Sequence, residues 1–324
     1  MATALITGIT GQDGSYLAEL LLTHGYDVIG TVRPGCVIND ANVRSIRDRL
    51  NLVEANLLDE RSIRELVDSV RPDEIYNLAA RASSRHLFEN PVLTGDCNGL
   101  AVARILEAIH QIDSGIRFCQ ASSSEMFGNA AQAPQDESTP FQPRNPYGIA
   151  KLSGHWFAVN YRQSYGVFAC SAILFNHESP RRGAEFVTRK ITSAAARIKA
   201  GLQEKLVIAD LEARRDWGFA GDYVQAMWQM LRAPEPGDYV IATGKSHSVR
   251  EFCEVAFGHL GLDYADYVLV DAVSSRPRDS VSLVGNATKA TRVLGWRPGV
   301  DFEGLVKMMV DADMQSITDG GADR

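Results

Sequence analysis

The 324-residue sequence predicts a doubly wound α/β fold, a parallel sheet covered by helices on both faces, joined to a smaller α/β region. Two observations carry this. Short apolar runs of β character alternate with longer stretches of helical periodicity through residue 175. The first such run also leads without a break into a glycine-rich turn that opens the first helical stretch.

The elements follow in order. Residues 2–7 form an unbroken strand pattern, and Leu17, Leu20 and Leu21 mark one face of a helix over 14–24. Strand 26–32, helix 40–50, strand 51–54, helix 60–70, strand 74–79, helix 92–112 and strand 116–121 come next. A helix over 146–165 and a strand over 168–174 complete the alternating part. Beyond it Ser179-Pro-Arg-Arg-Gly183 is turn-rich, and an amphipathic helix spans 186–201. Shorter elements continue to residue 316, and 317–324 are small and polar, which predicts fraying. No repeat or linker divides the chain. Residues 1–175, completed by segments near 210–245, are expected to form one domain, and 176–324 mainly a second.

Composition narrows the function. Apolar residues make up 45% and charged residues 23%, which excludes a disordered polymer, a collagen-like repeat or a small disulfide scaffold. Forty acidic against 33 basic residues give a net charge of -7, so neither nucleic acid nor a membrane surface is the expected partner. The N-terminus enters a strand at once, with no signal-like segment, and no run reaches membrane-spanning length. Five cysteines lie far apart without metal or redox spacing, as expected of reduced, buried thiols in a cytoplasmic protein. His24, His86, His110, His155, His247 and His259 likewise lack ligand spacing, so no metal site is expected.

Thr7-Gly8-Ile9-Thr10-Gly11-Gln12-Asp13-Gly14 has the position of a phosphate-binding turn in a Rossmann-type sheet. Gly8 allows the tight turn, Gly11 lets a pyrophosphate approach the backbone, and Gly14 lets the helix pack near the sheet. Thr10, Gln12 and Asp13 line the same turn. The helix N-terminus offers unpaired N–H groups to phosphate. An NAD site would carry an acid near the end of the second strand; here that strand ends in Arg33, which favours the 2′-phosphate of NADP.

Tyr147 and Lys151 lie four residues apart on one helical face, with Pro146 in the first turn. A neighbouring ammonium favours the phenolate, so Tyr147 can act as acid or base. Gln120-Ala-Ser-Ser-Ser-Glu125 sits at the end of the fifth strand, where Ser123 can bond the same substrate oxygen.

With these motifs the chain resembles the extended short-chain dehydrogenase/reductases. Within them it is similar to the GDP-mannose 4,6-dehydratase family, through Leu5–Ser15, Ser123–Gly128, Glu137–Gly148, Asn160–Arg162, Phe175–Gly183, Phe186–Lys190, Arg215–Tyr223 and Leu294–Pro298. The resemblance implies an internal redox reaction on GDP-mannose. Tyr147 would take the 4-OH proton as C4 hydride passes to NADP⁺, Glu125 would remove the C5 proton and assist loss of the C6 hydroxyl, and the hydride would return to C6. It further implies that Asn56, Leu57, Leu78, Ala79, Ala80, Arg81, His177 and Arg182 touch the cofactor. Ser124, Asn176, Lys190, Arg215 and Arg276 would face the sugar nucleotide, and the chain would form a homodimer or homotetramer through its long helices. The alternative reading of Arg215 and Arg276 is as surface ion-pair partners. Departures from the family pattern fall at Arg33-Pro-Gly-Cys36, Arg81 with Ser83–Arg85, Ala209-Asp210 and Arg276-Pro-Arg-Asp279. Other readings remain open: a 4,6-dehydratase of another hexose or heptose nucleotide, a 4-epimerase or 4-keto reductase, or a non-catalytic NADP-binding sensor.

Overall fold

The computed structural model describes residues 1–35, 40–82, 90–271 and 283–320. The alternating part comprises β1 (Thr3–Thr7), α1 (Gln12–Thr23), β2 (Asp27–Val32), β3 (Asn51–Glu54), α2 (Glu60–Val70) and β4 (Glu74–Asn77). It continues with α3 (Pro91–Gly95), α4 (Ala101–Ile112), β5 (Arg117–Ser123), α5 (Pro146–Tyr165) and β6 (Ala169–Leu174). The remainder holds β7 (Asn176–Glu178), α6 (Val187–Lys199), β8 (Leu206–Ile208), β9 (Arg214–Arg215), β10 (Trp217–Phe219) and α7 (Ala220–Met230). Then come β11 (Asp238–Ile241), β12 (His247–Ser248), α8 (Val249–His259), β13 (Val268–Val270), α9 (Thr288–Leu294) and α10 (Phe302–Thr318).

Among the described residues, seven strands make one sheet in the order β11-β6-β5-β4-β1-β2-β3, every pair parallel. Strand order reverses direction at β1 and β4, which opens a crevice above their carboxyl ends. β4 and β6 are buried at every residue, because helices cover both faces. Leu17 and Leu21 of α1 meet Met227 and Met230 of α7 on one face. Leu66 of α2, Ile105 and Ile109 of α4 and Ala158 of α5 fill the other. A further core gathers Ile191, Trp217, Phe252 and Met309 from α6, β10, α8 and α10.

The structure corrects four local expectations. Residues 41–49 form a 3₁₀ helix rather than an α-helix; its buried residues, Val43 and Ile46, are three apart, the repeat of that helix. The single helix expected over 92–112 is broken by a π turn at Asp96–Leu100. There the buried Asn98 accepts the Arg81 N–H at 2.9 Å and donates to the Arg81 carbonyl at 3.2 Å, clamping the chain after β4. β4 stops at Asn77, where the Leu78 N–H is shared between the Thr7 carbonyl at 3.3 Å and Thr7 Oγ1 at 3.1 Å, and the Ala79 N–H turns to Thr7 Oγ1 at 3.1 Å. β5 runs two residues beyond the expected end and so carries Ser123.

Candidate active site

The glycine turn adopts the geometry its sequence requires. Gly8 has φ +73°, and a Cβ there would stand 2.9 Å from the Ala79 backbone. A Cβ on Gly14 would stand 2.3 Å from the Gly8 carbonyl oxygen. Gly11 caps α1 with no side-chain hydrogen bond, so the first-turn N–H groups are left to an anion. The Thr10 carbonyl accepts from Asn42 Nδ2 at 3.0 Å. Gln12 bridges outward: its Nε2 donates to the His177 carbonyl at 3.1 Å, and its Oε1 accepts from Ser179 Oγ at 2.8 Å.

Asp13 meets His177 Nε2 at 2.8 Å, while His177 Nδ1 faces the Phe175 carbonyl at 2.7 Å and the ring stacks on Tyr223. Both ring nitrogens face acceptors, an arrangement that the doubly protonated imidazole satisfies at both. Burial opposes each charge. The mutual attraction outweighs it, lowering the Asp13 pKa and raising that of His177.

Arg33 is exposed at the end of β2. Asn56 is exposed beyond β3, where its Oδ1 accepts the Leu58 N–H at 3.1 Å; Leu57 is half-buried. Leu78, Ala79 and Ala80 follow β4 directly beside Gly8, and Arg81 is half-buried under the Asn98 clamp. Arg276, Cys36, Ser83–Arg85, His86 and Asp279 lie outside the described residues.

Ser123, Glu125, Tyr147 and Lys151 come together where β5 meets α5. The Ser123 Oγ accepts the Glu125 N–H at 3.2 Å, and the Ser123 side chain acts to lower the Tyr147 pKa. Ser124 is buried and its carbonyl closes the turn on the Phe127 N–H at 3.0 Å. The Lys151 ammonium, 3% exposed, donates to the Ala121 carbonyl at 2.7 Å and lies 5.7 Å from the centre of the Tyr147 ring. Burial lowers the Lys151 pKa to about 8. Burial also pushes the Tyr147 phenol up to about 12, with Ser123 and Arg182 opposing and Glu125 and Asp13 reinforcing the rise. The expected lowering of the phenol by Lys151 is therefore not built into the protein alone: the ammonium is committed to the Ala121 carbonyl, and desolvation dominates.

Sequence reasoning missed Asn145. It is buried at the N-cap of α5, where its Oδ1 accepts the Gly148 N–H at 2.7 Å and its Nδ2 donates to Glu125 Oε2 at 2.8 Å. The signal was present: Asn followed by Pro ahead of a helix marks a cap and first turn.

Asn176 lies on β7, which pairs in parallel with β10. Arg182 Nε stands 3.0 Å from the buried Glu178 carboxylate, outside hydrogen-bond geometry, and its guanidinium lies 3.6 Å above the Phe186 ring. Its charge acts to lower the Tyr147 pKa. Lys190 is exposed on α6, and Arg215 is half-buried on β9, its Nη1 bonded to the Arg214 carbonyl at 2.7 Å. Those two bases stand on separate elements, α6 and β9.

The chain is 52% identical to GDP-mannose 4,6 dehydratase 2 of Arabidopsis thaliana, over 96% of this chain and 87% of that one. It is 44% identical to the human GDP-mannose 4,6 dehydratase, over 96% and 91% of the two chains. Among solved structures it resembles the Thermus thermophilus UDP-glucose 4-epimerase in complex with NAD, with a TM-score of 0.81 at 26% identity over 96% and 98% of the chains. The family model described as GDP-mannose 4,6 dehydratase matches residues 5–309, and the chain belongs to that family.

Proposed function

We propose that this chain catalyses the NADP-dependent 4,6-dehydration of GDP-mannose to GDP-4-keto-6-deoxy-mannose. One observation carries the reading beyond family membership. Glu125 is held by Asn145 at the head of the Tyr147 helix, next to Ser123, whose Oγ accepts the Glu125 N–H. Epimerisation or reduction at C4 needs Tyr147 and Lys151 but no carboxylate near C5.

The residues present fit a nicotinamide dinucleotide. Side chains at Gly8 or Gly14 would fill the phosphate cradle, and no side chain caps α1. Gly8, Thr10, Gly11 and the first turn of α1 would hold the pyrophosphate. Leu57 and Leu78–Arg81 would line the adenosine side, and His177 and Arg182 the nicotinamide side. Arg33, with no acid at the end of β2, supports NADP over NAD. When bound, the cofactor supplies a reversible hydride acceptor, so oxidation at C4 and reduction at C6 cancel and no external reductant is consumed.

The protein's own groups move the protons. Tyr147 takes the proton from the 4-OH while Ser123 bonds the same oxygen. A carbonyl at C4 makes the C5 proton acidic. Glu125 removes it, the C5–H electrons form the C5–C6 double bond, and the C6 hydroxyl leaves with that proton as water. Once C6 is reduced, C5 takes up one proton, which balances the one that Tyr147 drew from the 4-OH and returns to solvent. Lys190, Arg215 and Arg276 would pair with the diphosphate of the substrate.

The sheet closed by β11 would serve the cofactor, and the core of α6, α8 and α10 the sugar nucleotide. Exposed Val92, Leu100, Ile149, Trp156 and Tyr165 along α3 to α5 support burial against a second copy in a homodimer or homotetramer. Among the described residues no helix is long and apolar enough to cross a membrane. The free thiols of Cys97, Cys119, Cys170 and Cys253 support a reducing, cytoplasmic setting.

The test is direct. The purified protein with catalytic NADP⁺ should convert GDP-mannose to the 4-keto-6-deoxy sugar without net NADPH consumption. Turnover of only another nucleotide sugar would overturn the substrate, and net consumption of NADPH would make the enzyme a reductase. In calorimetry, Arg33→Ala should weaken NADP⁺ binding and leave NAD⁺ binding unchanged.

A further inference from the structure

Asn145 sits between two catalytic elements that the chain delivers separately. Glu125 comes from the 3₁₀ turn after β5 (Ser124–Met126), and Tyr147 and Lys151 come from α5. Asn145 spends its acceptor on the helix, taking the Gly148 N–H at 2.7 Å, and its donor on Glu125 Oε2 at 2.8 Å. The residue is 7% exposed and cannot easily exchange these partners for water. The amide orientation is fixed by chemistry, since an N–H must meet an acceptor and a carboxylate must meet a donor.

A capping role alone does not require asparagine. Serine and aspartate cap about as well, because each offers an acceptor oxygen at the same place. Only the amide presents an acceptor and a donor in one planar group of fixed separation. The second function is the informative one. One Glu125 oxygen is held by Asn145, which leaves the other for a substrate proton and fixes the carboxylate relative to the helix that carries Tyr147.

Resting on the assignment of Glu125 as the C5 base, we propose that Asn145 is the positioning residue that orients this carboxylate for proton removal and couples it to the Tyr147 helix. Asn145 touches no reacting atom. It acts on the second chemical step and not on the first.

The experiment uses the full chain loaded with NADP⁺ and two variants that keep the cap, Asn145→Ser and Asn145→Asp. C4 oxidation is followed by the absorbance of the reduced nicotinamide in a single turnover, and C5 proton exchange by deuterium uptake from solvent. Both variants should melt within a few degrees of the parent and keep C4 oxidation within a few-fold. C5 exchange should fall roughly ten- to hundredfold, the loss expected for one hydrogen bond to a charged group. Overall kcat should fall with it while KM stays near the parent value. Asn145→Asp should be the worse of the two, because a second carboxylate would face Glu125.

Exchange at the parent rate in both variants would overturn the proposal. So would an equal loss of oxidation and exchange, which would make Asn145 only part of the helix. Glu125→Gln separates the two assignments. If it abolishes exchange while the Asn145 variants match the parent, the base stands and the positioning role falls. If exchange survives in Glu125→Gln, the base assignment fails and takes this inference with it.

Discussion

The α-carbon of Gly148 packs directly against the carbonyl of Glu125: a Cβ at Gly148 would stand 2.6 Å from that oxygen. Glycine here is a matter of space, because the first turn of α5 and the turn bearing the carboxylate share one contact. Gly148→Ala must push the two apart. It should cost about 1–3 kcal/mol, the usual range for overpacking, read as a lower melting temperature. Loss of C5 exchange should exceed the loss of C4 oxidation, because the displaced segment carries Glu125.

Lys151 is a buried cation whose pKa is lowered from 10.5 to about 8 by desolvation. Between those values the folded state binds fewer protons than the unfolded state, so stability rises with pH across that window. Below about pH 8 the buried charge is a cost. Lys151→Met should therefore raise the melting temperature of the cofactor-free protein at neutral pH and abolish the alkaline rise. Turnover should drop by about a hundredfold or more. A variant that melts lower at neutral pH would contradict the assignment of that cost.

The Asp13–His177 pair sets a second pH window. The raised His177 pKa gives stability that is fully present below about pH 6.5 and is lost as pH climbs through the folded value. The lowered Asp13 pKa gives stability present above its unfolded value and lost as pH falls through the folded one. The pair is therefore strongest between the two unfolded values, roughly pH 4 to 6.5. Asp13→Asn should lower the melting temperature most there and flatten its dependence on pH at both ends. A constant offset at all pH values would refute an ionic role.

Asp216 is fully buried within Arg-Asp-Trp-Gly. It accepts the Thr243 N–H at 2.9 Å, the Thr243 hydroxyl at 2.6 Å, the Gly244 N–H at 2.9 Å and the Gly285 N–H at 3.2 Å. Asp216→Ala leaves those donors stranded. It should destabilise the protein by roughly 3 kcal/mol or more, measured by denaturant unfolding, with Asp216→Asn intermediate. A change within error would mean that water replaces the carboxylate.

The parallel sheet was legible because its strands are continuous apolar runs separated by helical patterns, a signal that depends only on burial. The cofactor turn was legible because Gly8, Gly11 and Gly14 answer local steric demands. Tyr147 and Lys151 were legible from helical spacing. What sequence could not carry was tertiary. The π turn at Asp96–Leu100 coincides with the Asn98 clamp on the Arg81 backbone, a partner 17 residues away that local propensity does not see. The high phenol pKa of Tyr147 follows from desolvation, which a spacing argument ignores. Asn145 was missed even as a cap, which Asn-Pro ahead of a helix signals, and its partnership with Glu125 depends on how two turns meet in space.

Gln12 and Asp13 have their partners at His177 and Ser179, 164 to 167 residues along the chain. This has a consequence for folding. The glycine turn can bend as soon as β1 and α1 exist, and Gln12 can donate to Asp13 at 3.1 Å, but their remaining bonds wait for residues 177–179. A fragment ending at Leu174 should therefore bind dinucleotide poorly, and the two halves of the chain should melt in one cooperative transition rather than two.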